Sequence, residues 1–231
     1  MKLLGIIGGT GPESTIDYYR LFVATYQKHR PDGSYPPLII NSIDLTKVLN
    51  LVSTNDLAGL TDYLLQEIHR LERAGVTIGL LAANTPHIVF DELQQSSPIP
   101  LISIVETVCQ ETIARQLKRI GLFGPRITMQ GGFYQKVFER ESLELVIPNI
   151  AEQEYIHTHY MTELVKGIFR AETREHLIDI SQRLQREQGI EGLILGGTEL
   201  SLLLRDENRI DVPILDAARL HVERAVSEFL S

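Results

Sequence analysis

The stretch Leu3-Leu4-Gly5-Ile6-Ile7-Gly8-Gly9 is a short apolar run that stops at two glycines. A run of this kind is typical of a buried parallel strand that enters a glycine loop. Further apolar runs follow along the chain, and they begin at Leu38, Ile78, Leu101, Ile120, Leu193 and Val212. The sequence therefore predicts a series of buried strands.

The segments between these runs have the spacing of helices. From Leu57 to Leu71, apolar residues recur every three or four positions, which is typical of an amphipathic helix. A last helix is predicted from Ala217 to Leu230, packed on the first half of the chain. Because strands and helices alternate, the sequence favours parallel βαβ units.

The second half of the chain repeats landmarks of the first half. Residues 5–8 correspond to residues 121–124, and the run at 80–85 corresponds to the run at 194–198. This repetition predicts an α/β protein of two pseudo-symmetric domains, each a parallel sheet flanked by helices. We place the first domain at residues 1–98 plus 210–231 and the second at residues 99–209, with a ligand cleft between them.

The composition narrows the class of partner. The 231 residues include 22 Lys and Arg against 30 Asp and Glu, a net charge of -8, which argues against a nucleic acid or an anionic membrane. No apolar run approaches the roughly 20 residues that a transmembrane helix needs. One cysteine, Cys109, and no basic-then-apolar leader at Met1 favour the cytoplasm. Small molecules are the expected partners.

Four loops at predicted strand ends are candidates for ligand binding, because ligands of open α/β sheets lie beyond the carboxyl ends of the strands. They are residues 8–12, 83–87, 124–128 and 196–199. In the first loop, Pro12 suits the first position of a helix and Glu13 its first turn. The loop could hold an anionic group or be only a tight turn, and it has no nucleotide-binding fingerprint.

The second and fourth loops occupy matching positions in the two halves, so duplication predicts that they face each other. A reaction that inverts a carbon centre without a cofactor needs an acid/base group on each face of the substrate. The alternative is that Asn84, Thr85, Thr198 and Glu199 only cap the helices that follow. The sequence leaves capping alone and capping with ligand contact open.

Metal binding is not indicated by the sequence. His87, His157 and His159 are not accompanied by the cysteine or carboxylate spacing that would complete a site, so we expect no metal and no cofactor. Cys109 falls in a predicted helix away from the loops, which is typical of a small structural residue.

Three segments resemble motifs of the aspartate/glutamate racemase superfamily, more closely its aspartate-racemase-like branch. They are the opening Gly5 to Thr15, the segment Ala83-Asn84-Thr85-Pro86-His87, and the segment Gly196-Gly197-Thr198-Glu199-Leu200. The resemblance covers essentially the whole chain. It implies the two-domain fold, a small acidic amino acid as ligand, catalysis without pyridoxal phosphate, and a homodimer.

The resemblance also identifies a departure from the family's mechanism. Racemases of this superfamily remove the α-proton with one cysteine thiolate and return a proton from a second cysteine on the opposite face. The corresponding positions here are Ala83 and Gly197, whose side chains can neither accept nor donate a proton. Small neighbours favour natural replacement over an engineered change. Two-thiol catalysis is therefore excluded.

The ligand-binding residues implied by the resemblance are better retained. Lys47 and Lys166 correspond to basic residues that bind substrate carboxylate, and two cations suit a ligand with more than one negative charge. Without the resemblance, both would be interpreted as solvated surface lysines. The remaining residues implied to line the pocket are Gly9, Thr10, Ala83, Asn84, Thr85, Thr128, Gly197 and Thr198.

The sequence leaves three functions open. The first is an amino-acid isomerase that uses other acid/base groups, for which the candidates are Glu199, Thr198, Thr85 and His87. The second is a lyase, decarboxylase or hydrolase of a small carboxylic acid on the same scaffold. The third is a non-catalytic protein that binds a small carboxylate or amino acid. Of these, the first is favoured.

Overall fold

A computed structural model describes residues 2–231, and the chain divides into two compact units. The first unit comprises the residues up to Ile104 together with His221–Ser231, and the second unit comprises Val105–Leu220. The first division falls at the first residue of a helix, Ile104–Ala114. The second falls within the last helix, Ala217–Leu230, whose bounds are those predicted from the sequence.

The first unit contains a four-stranded sheet in the order β2-β1-β3-β4, in which every pair is parallel. Ile6 of β1 lies opposite Ile40 of β2 on one side and Leu80 of β3 on the other. All five residues of β1 are buried, which explains the continuous apolar run in the sequence. The strands are β1 (Leu4–Gly8), β2 (Leu38–Ser42), β3 (Ile78–Leu81) and β4 (Leu101–Ile102).

Helices of the first unit cover this sheet. Leu60, Leu64, Ile68 and Leu71 of α3 are buried on one face, as their spacing predicts. Pro12 begins α1, as predicted for the first position of a helix. The elements are α1 (Pro12–His29), α2 (Leu45–Ser53), α3 (Leu57–Arg73), a 3₁₀ turn (Thr85–Val89), α4 (Phe90–Ser96) and α5 (Ile104–Ala114), which continues into the second unit.

The second unit repeats the topology of the first, with a parallel sheet in the order β6-β5-β7-β8. The strands are β5 (Arg119–Phe123), β6 (Glu144–Val146), β7 (Gly192–Leu195) and β8 (Ile214–Asp216). The remaining elements are α6 (Arg126–Gln130), α7 (Phe133–Arg140), α8 (Ile150–Thr162), a second 3₁₀ turn (Leu164–Lys166), α9 (Ala171–Gln188), α10 (Thr198–Leu204) and α11 (Ala217–Leu230). The repeated strand order agrees with the duplication seen in the sequence.

Each unit has its own hydrophobic core. The first core packs β1 and β3 against α3, and the second packs β7 against α8, α9 and α10. The carboxyl ends of β1 and β3 lead into the loops at residues 9–11 and 82–84, while those of β5 and β7 lead into residues 124–125 and 196–197. The fold thus places each predicted loop at the end of a central strand.

Two buried histidines join separate elements of the first unit. His221 of α11 accepts a hydrogen bond from the Tyr18 hydroxyl at Nδ1, 3.0 Å away, and donates through Nε2 to the Ile102 carbonyl, 2.9 Å away. His87 donates through Nδ1 to the Ala83 carbonyl, and its Nε2 accepts from the Ile104 amide. Both rings are therefore neutral. His221 connects α11 to α1 and to the end of β4, and His87 connects the loop after β3 to the start of α5.

Burial lowers the pKa of both histidines. The pKa of His87 falls to about 3 through burial and the nearby His221, and burial lowers that of His221 to about 4, from an ordinary 6.5. As pH falls below about 6.5, these histidines take up protons in the unfolded chain but not in the folded protein. The stability that the neutral rings provide is therefore fully present above about pH 6.5 and is lost as pH falls towards 4.

We expect the free energy of unfolding to fall between pH 6 and 4.5 by about 1.4 kcal/mol per pH unit for each of the two histidines. Denaturant titrations at several pH values measure this slope. His87→Gln should remove one histidine's share of the slope, whereas His176→Gln, at an exposed residue of α9, should leave it unchanged. An equal slope in wild type and His87→Gln would contradict the assignment.

Candidate functional site

The first loop is shaped by two glycines with positive φ, Gly9 at 85° and Gly11 at 132°. A Cβ atom at Gly9 would lie 2.3 Å from the Ile43 carbonyl oxygen, so the loop needs glycine for space as well as conformation. The Gly9 amide donates to the Thr15 hydroxyl at 2.9 Å. This amide, one of the donors expected for a ligand, is thus used within the loop, while Thr10 beside it is half-buried.

The second loop contains Ala83 and Asn84, both buried, followed by half-buried Thr85 at the start of the 3₁₀ turn. The Ala83 carbonyl accepts the His87 Nδ1–H at 3.0 Å, and the Asn84 carbonyl accepts the His87 amide at 2.9 Å. His87 therefore stabilises the conformation of this loop with one hydrogen bond from its ring and one from its backbone. Its ring also stacks on Phe90 with the two planes 8° apart.

Lys47, the predicted carboxylate-binding residue of the first unit, lies on α2. Its Nζ is 3.8 Å from the centre of the Tyr63 ring, a cation–π contact. The Asp44 side chain caps the start of α2 by accepting the Thr46 amide, and the Asp44 amide donates to the Tyr63 hydroxyl at 3.4 Å. Lys47 is exposed, and its ammonium group lies over the Tyr63 ring.

The fourth loop, at the end of β7, contains a buried carboxylate. Glu199 is fully buried, and its Oε2 accepts hydrogen bonds from the Tyr160 hydroxyl and from Thr198 Oγ1, the latter at 3.1 Å. Burial and the Glu199 carboxylate raise the pKa of Tyr160 well above its usual range, so the phenol stays protonated. Thr198, Glu199 and Tyr160 thus form one hydrogen-bonded cluster.

Capping does not explain the polar residues of these loops. The 3₁₀ turn that follows Asn84 and helix α10 both begin without a side-chain hydrogen bond to the helix start, as far as residues 2–231 show. The residue at the cap position of α10 is Gly197, and Thr198 donates to Glu199 instead. Among the described residues, neither of these two helix starts is therefore capped by a side chain.

Gly197 is required by its surroundings and not by its backbone. Its φ of -132° and ψ of 120° are extended values that any residue adopts. A Cβ atom there, however, would lie 2.5 Å from Cε2 and 3.2 Å from Cζ of Tyr160. The Tyr160 ring therefore occupies the space that a side chain at this position would need.

Helix α10 is also fixed at its far side. Asp216, at the end of β8, accepts a hydrogen bond from Ser201 Oγ at 2.8 Å and forms an ion pair with Arg205, both on α10. It accepts the Arg219 amide at 3.1 Å as well. This buried carboxylate binds α10 to the last strand, which limits movement of the helix that carries Glu199.

Thr128 lies between the ends of two central strands. It is fully buried on α6, and Cβ atoms added at Gly124 and Gly196 would lie 2.9 Å and 3.0 Å from its Cγ2. Its hydroxyl has no hydrogen-bond partner within residues 2–231. A buried hydroxyl without a partner requires an explanation, and a ligand or an ordered water supplies one.

Lys166 ends the second 3₁₀ turn and is exposed. Gly167 follows it with a φ of 72°, and the amides of both residues donate to carbonyls within the turn at 2.9 Å. The position of the lysine is therefore set by a turn anchored through Leu164, which is buried in the second core.

The cysteine and the histidines considered from the sequence as a nucleophile or as metal ligands are engaged in packing and hydrogen bonds. Cys109 is buried in α5, and burial together with Glu106 raises the pKa of its thiol to about 11. His157 accepts the Arg126 amide, and His159 stacks on Tyr155. Between residues 2 and 231, no group of three or more His, Cys, Asp or Glu side chains is placed to hold a metal. Nor does that range contain a helix long and apolar enough to span a membrane.

Tyr160 is the site residue that the sequence did not identify. It lies on α8 and meets Glu199 although the two are 39 positions apart. The sequence of α8 has no hydrophobic pattern that distinguishes this tyrosine. A signal was present in the pair Gly196-Gly197, because glycine in a β-type conformation indicates close approach of another group.

Two duplicated α/β units carry polar loops at the ends of their central strands, which is where open α/β sheets bind their ligands. The profile of the family described as Asp/Glu/Hydantoin racemase matches residues 7–225. The chain therefore belongs to the Asp/Glu/hydantoin racemase family.

Individual relatives agree with this assignment. The chain is 26% identical over 234 residues to the broad specificity amino-acid racemase RacX of Bacillus subtilis (strain 168), covering 99% of each protein. It is 34% identical to an aspartate racemase homologue from Pyrococcus horikoshii OT3, with a TM-score of 0.85 and complete coverage of both chains. An aspartate racemase from Picrophilus torridus shares the fold at a TM-score of 0.77 and 18% identity, with 100% and 98% coverage.

We expect Gly197→Ala to lower the free energy of unfolding by about 1–3 kcal/mol, because its methyl group overlaps the Tyr160 ring. Denaturant titration measures the change. In a Tyr160→Leu background, which lacks the ring atoms concerned, the same substitution should have little effect. A loss of equal size in both backgrounds would show that Tyr160 is not what requires glycine.

Proposed function

We propose that the protein binds a small acidic amino acid such as aspartate or glutamate and isomerises it without pyridoxal phosphate and without thiol catalysis. The observation that carries the proposal is the family match over residues 7–225. Since the chain has one cysteine, and that one is buried with a raised pKa, thiols cannot supply the two acid/base groups.

Polar groups in the loops after the central strands and on neighbouring elements support ligand binding. In the first unit these are the Asn84 side chain and the exposed Lys47 of α2, and in the second unit they are the hydroxyls of Thr128 and Thr198 and the exposed Lys166, which ends a 3₁₀ turn. Two ammonium groups suit a dicarboxylate. The Thr198 hydroxyl donates a hydrogen bond to Glu199, and its oxygen can also accept one, as from a substrate amino group.

Glu199 is the acid/base group that we propose for proton transfer. It carries a carboxylate at the end of β7, next to the position of the missing thiol, and two donors hold one of its oxygens. His87 is less suited, because both ring nitrogens are engaged and its lowered pKa keeps it neutral. The hydroxyls of Thr85 and Thr198 are too weakly acidic to lose a proton at neutral pH, so neither can act as a base alone.

A non-catalytic carboxylate-binding protein is the second candidate. A specific observation favours it, namely that Glu199 and His87 are both buried and hydrogen-bonded, which is also what structural residues show. Saturable binding without exchange of the α-hydrogen would identify this function. Decarboxylation or hydrolysis of a small acid on this scaffold would be recognised by carbon dioxide release or by product analysis.

We expect Lys47→Met and Lys166→Met each to raise the Kd for aspartate or glutamate by about tenfold or more, since each removes a charge-assisted hydrogen bond. Isothermal titration calorimetry gives the Kd. Lys28→Met, at an exposed position in the last turn of α1, is the control and should leave the Kd unchanged. If neither test variant weakens binding, the two lysines do not bind the carboxylates.

We expect wild-type protein to exchange the α-hydrogen of aspartate, glutamate or a close relative in deuterated water, and Glu199→Gln to slow this exchange by about 100-fold or more. Proton NMR follows the loss of the α-hydrogen signal. Glutamine keeps the size of the side chain and can still accept from Tyr160, so circular dichroism should be unchanged. Wild-type exchange that is unaffected by Glu199→Gln would exclude Glu199 as the base.

The family resemblance further leads us to propose a cytoplasmic homodimer that needs no cofactor. Light scattering of the purified protein tests the oligomeric state. Activity that survives extensive dialysis against a chelator and against hydroxylamine, which removes pyridoxal phosphate, tests the independence from metals and cofactors.

A further inference from the structure

Tyr160 stands at the position where the site differs from the mechanism implied by the resemblance. Its ring lies over Gly197, the position that the resemblance assigns to the second cysteine, so closely that a Cβ atom there would force the ring or the loop to shift. Because the backbone of Gly197 is ordinary, the glycine and the tyrosine are complementary in size. The phenol thus approaches the space that would otherwise contain a thiol.

The same tyrosine is bonded to the acid/base candidate. The Tyr160 hydroxyl donates to Glu199 Oε2, and the Thr198 hydroxyl donates to the same oxygen at 3.1 Å. All three side chains are buried, with Tyr160 the most exposed at 8%. Two donors on one oxygen give the carboxylate a defined orientation.

We propose that Tyr160 is a positioning residue of this site, which fills the space over Gly197 and, together with Thr198, orients Glu199 as the proton-transfer group at the end of β7. This inference rests on the proposed function. In the transfer step the Cα–H bond of the acidic amino acid breaks, its electron pair passes into the substrate's α-carboxylate, and the proton goes to Glu199. Return of the proton from Glu199 to the same face regenerates the starting enantiomer, with its α-hydrogen exchanged once Glu199 has exchanged with solvent. Inversion requires water to deliver a proton to the opposite face of the α-carbon, after which Glu199 releases its own proton to solvent.

Removing only the hydroxyl separates this role from packing. Tyr160→Phe keeps the ring over Gly197 but removes a donor that favours the charged carboxylate. We expect kcat for α-hydrogen exchange to fall about tenfold or more with little change in KM, and the acid limb of the pH profile to move to higher pH. Thr198→Val, which removes the second donor, should move the limb in the same direction.

A control on the same helix is Tyr155→Phe, at a half-buried residue that contacts His159 and His176. It should leave kcat, KM and the pH limb unchanged. An unaltered pH profile in Tyr160→Phe, or a loss of rate matched by Tyr155→Phe, would overturn the inference.

An infrared titration decides the inference independently of turnover. The carboxylate band of Glu199 is identified as the one lost in Glu199→Gln, and its disappearance with falling pH should begin at a higher pH in Tyr160→Phe. An unshifted band would overturn the role of Tyr160. A further outcome is that the band shifts in Tyr160→Phe while the wild-type protein neither binds nor exchanges any acidic amino acid. That result would support the pairing of Tyr160 with Glu199 and overturn the proposed function.

Discussion

The contact between the Tyr160 ring and Gly197 is the constraint on which the arrangement at the end of β7 depends. It favours a residue without a side chain at a position where the backbone would accept any residue, and the same tyrosine donates a hydrogen bond to the Glu199 carboxylate. The ion pair of Asp216 with Arg205 then fixes α10 from the other side. A buried carboxylate can be retained only when donors satisfy it, and here the fold supplies them from α8 and from the neighbouring threonine.

Much of the architecture could be predicted from the sequence, because buried parallel strands leave continuous apolar runs and α3 leaves a strong three-to-four spacing. Residues 144–146 were not predicted as a strand. Glu144-Leu145-Val146 is too short and too polar to form a run, and it becomes β6 only through pairing with β5. The polar loop residues could be located because loops follow strands. Tyr160 could not, since its partner is distant along the chain and α8 has no distinctive pattern there.

The loops of the two units are alike in origin but differ in chemistry. After β3 lies Ala83, whose carbonyl accepts a hydrogen bond from a neutral histidine. After β7 lies Gly197, which is next to the Tyr160 ring and two residues from the Glu199 carboxylate. The two loops thus share a backbone path and differ in their side chains, with a buried carboxylate cluster on one and a buried neutral imidazole on the other.

The burial of Cys109 lowers the reactivity of its thiol towards oxidants and electrophiles. Enzymes that rely on exposed thiolates are inactivated by peroxides and by alkylating electrophiles, because the deprotonated sulfur is the reactive species. The one sulfur of this kind here is enclosed within α5 and remains protonated at neutral pH. The single thiol of this chain would therefore react slowly with peroxides and with alkylating electrophiles.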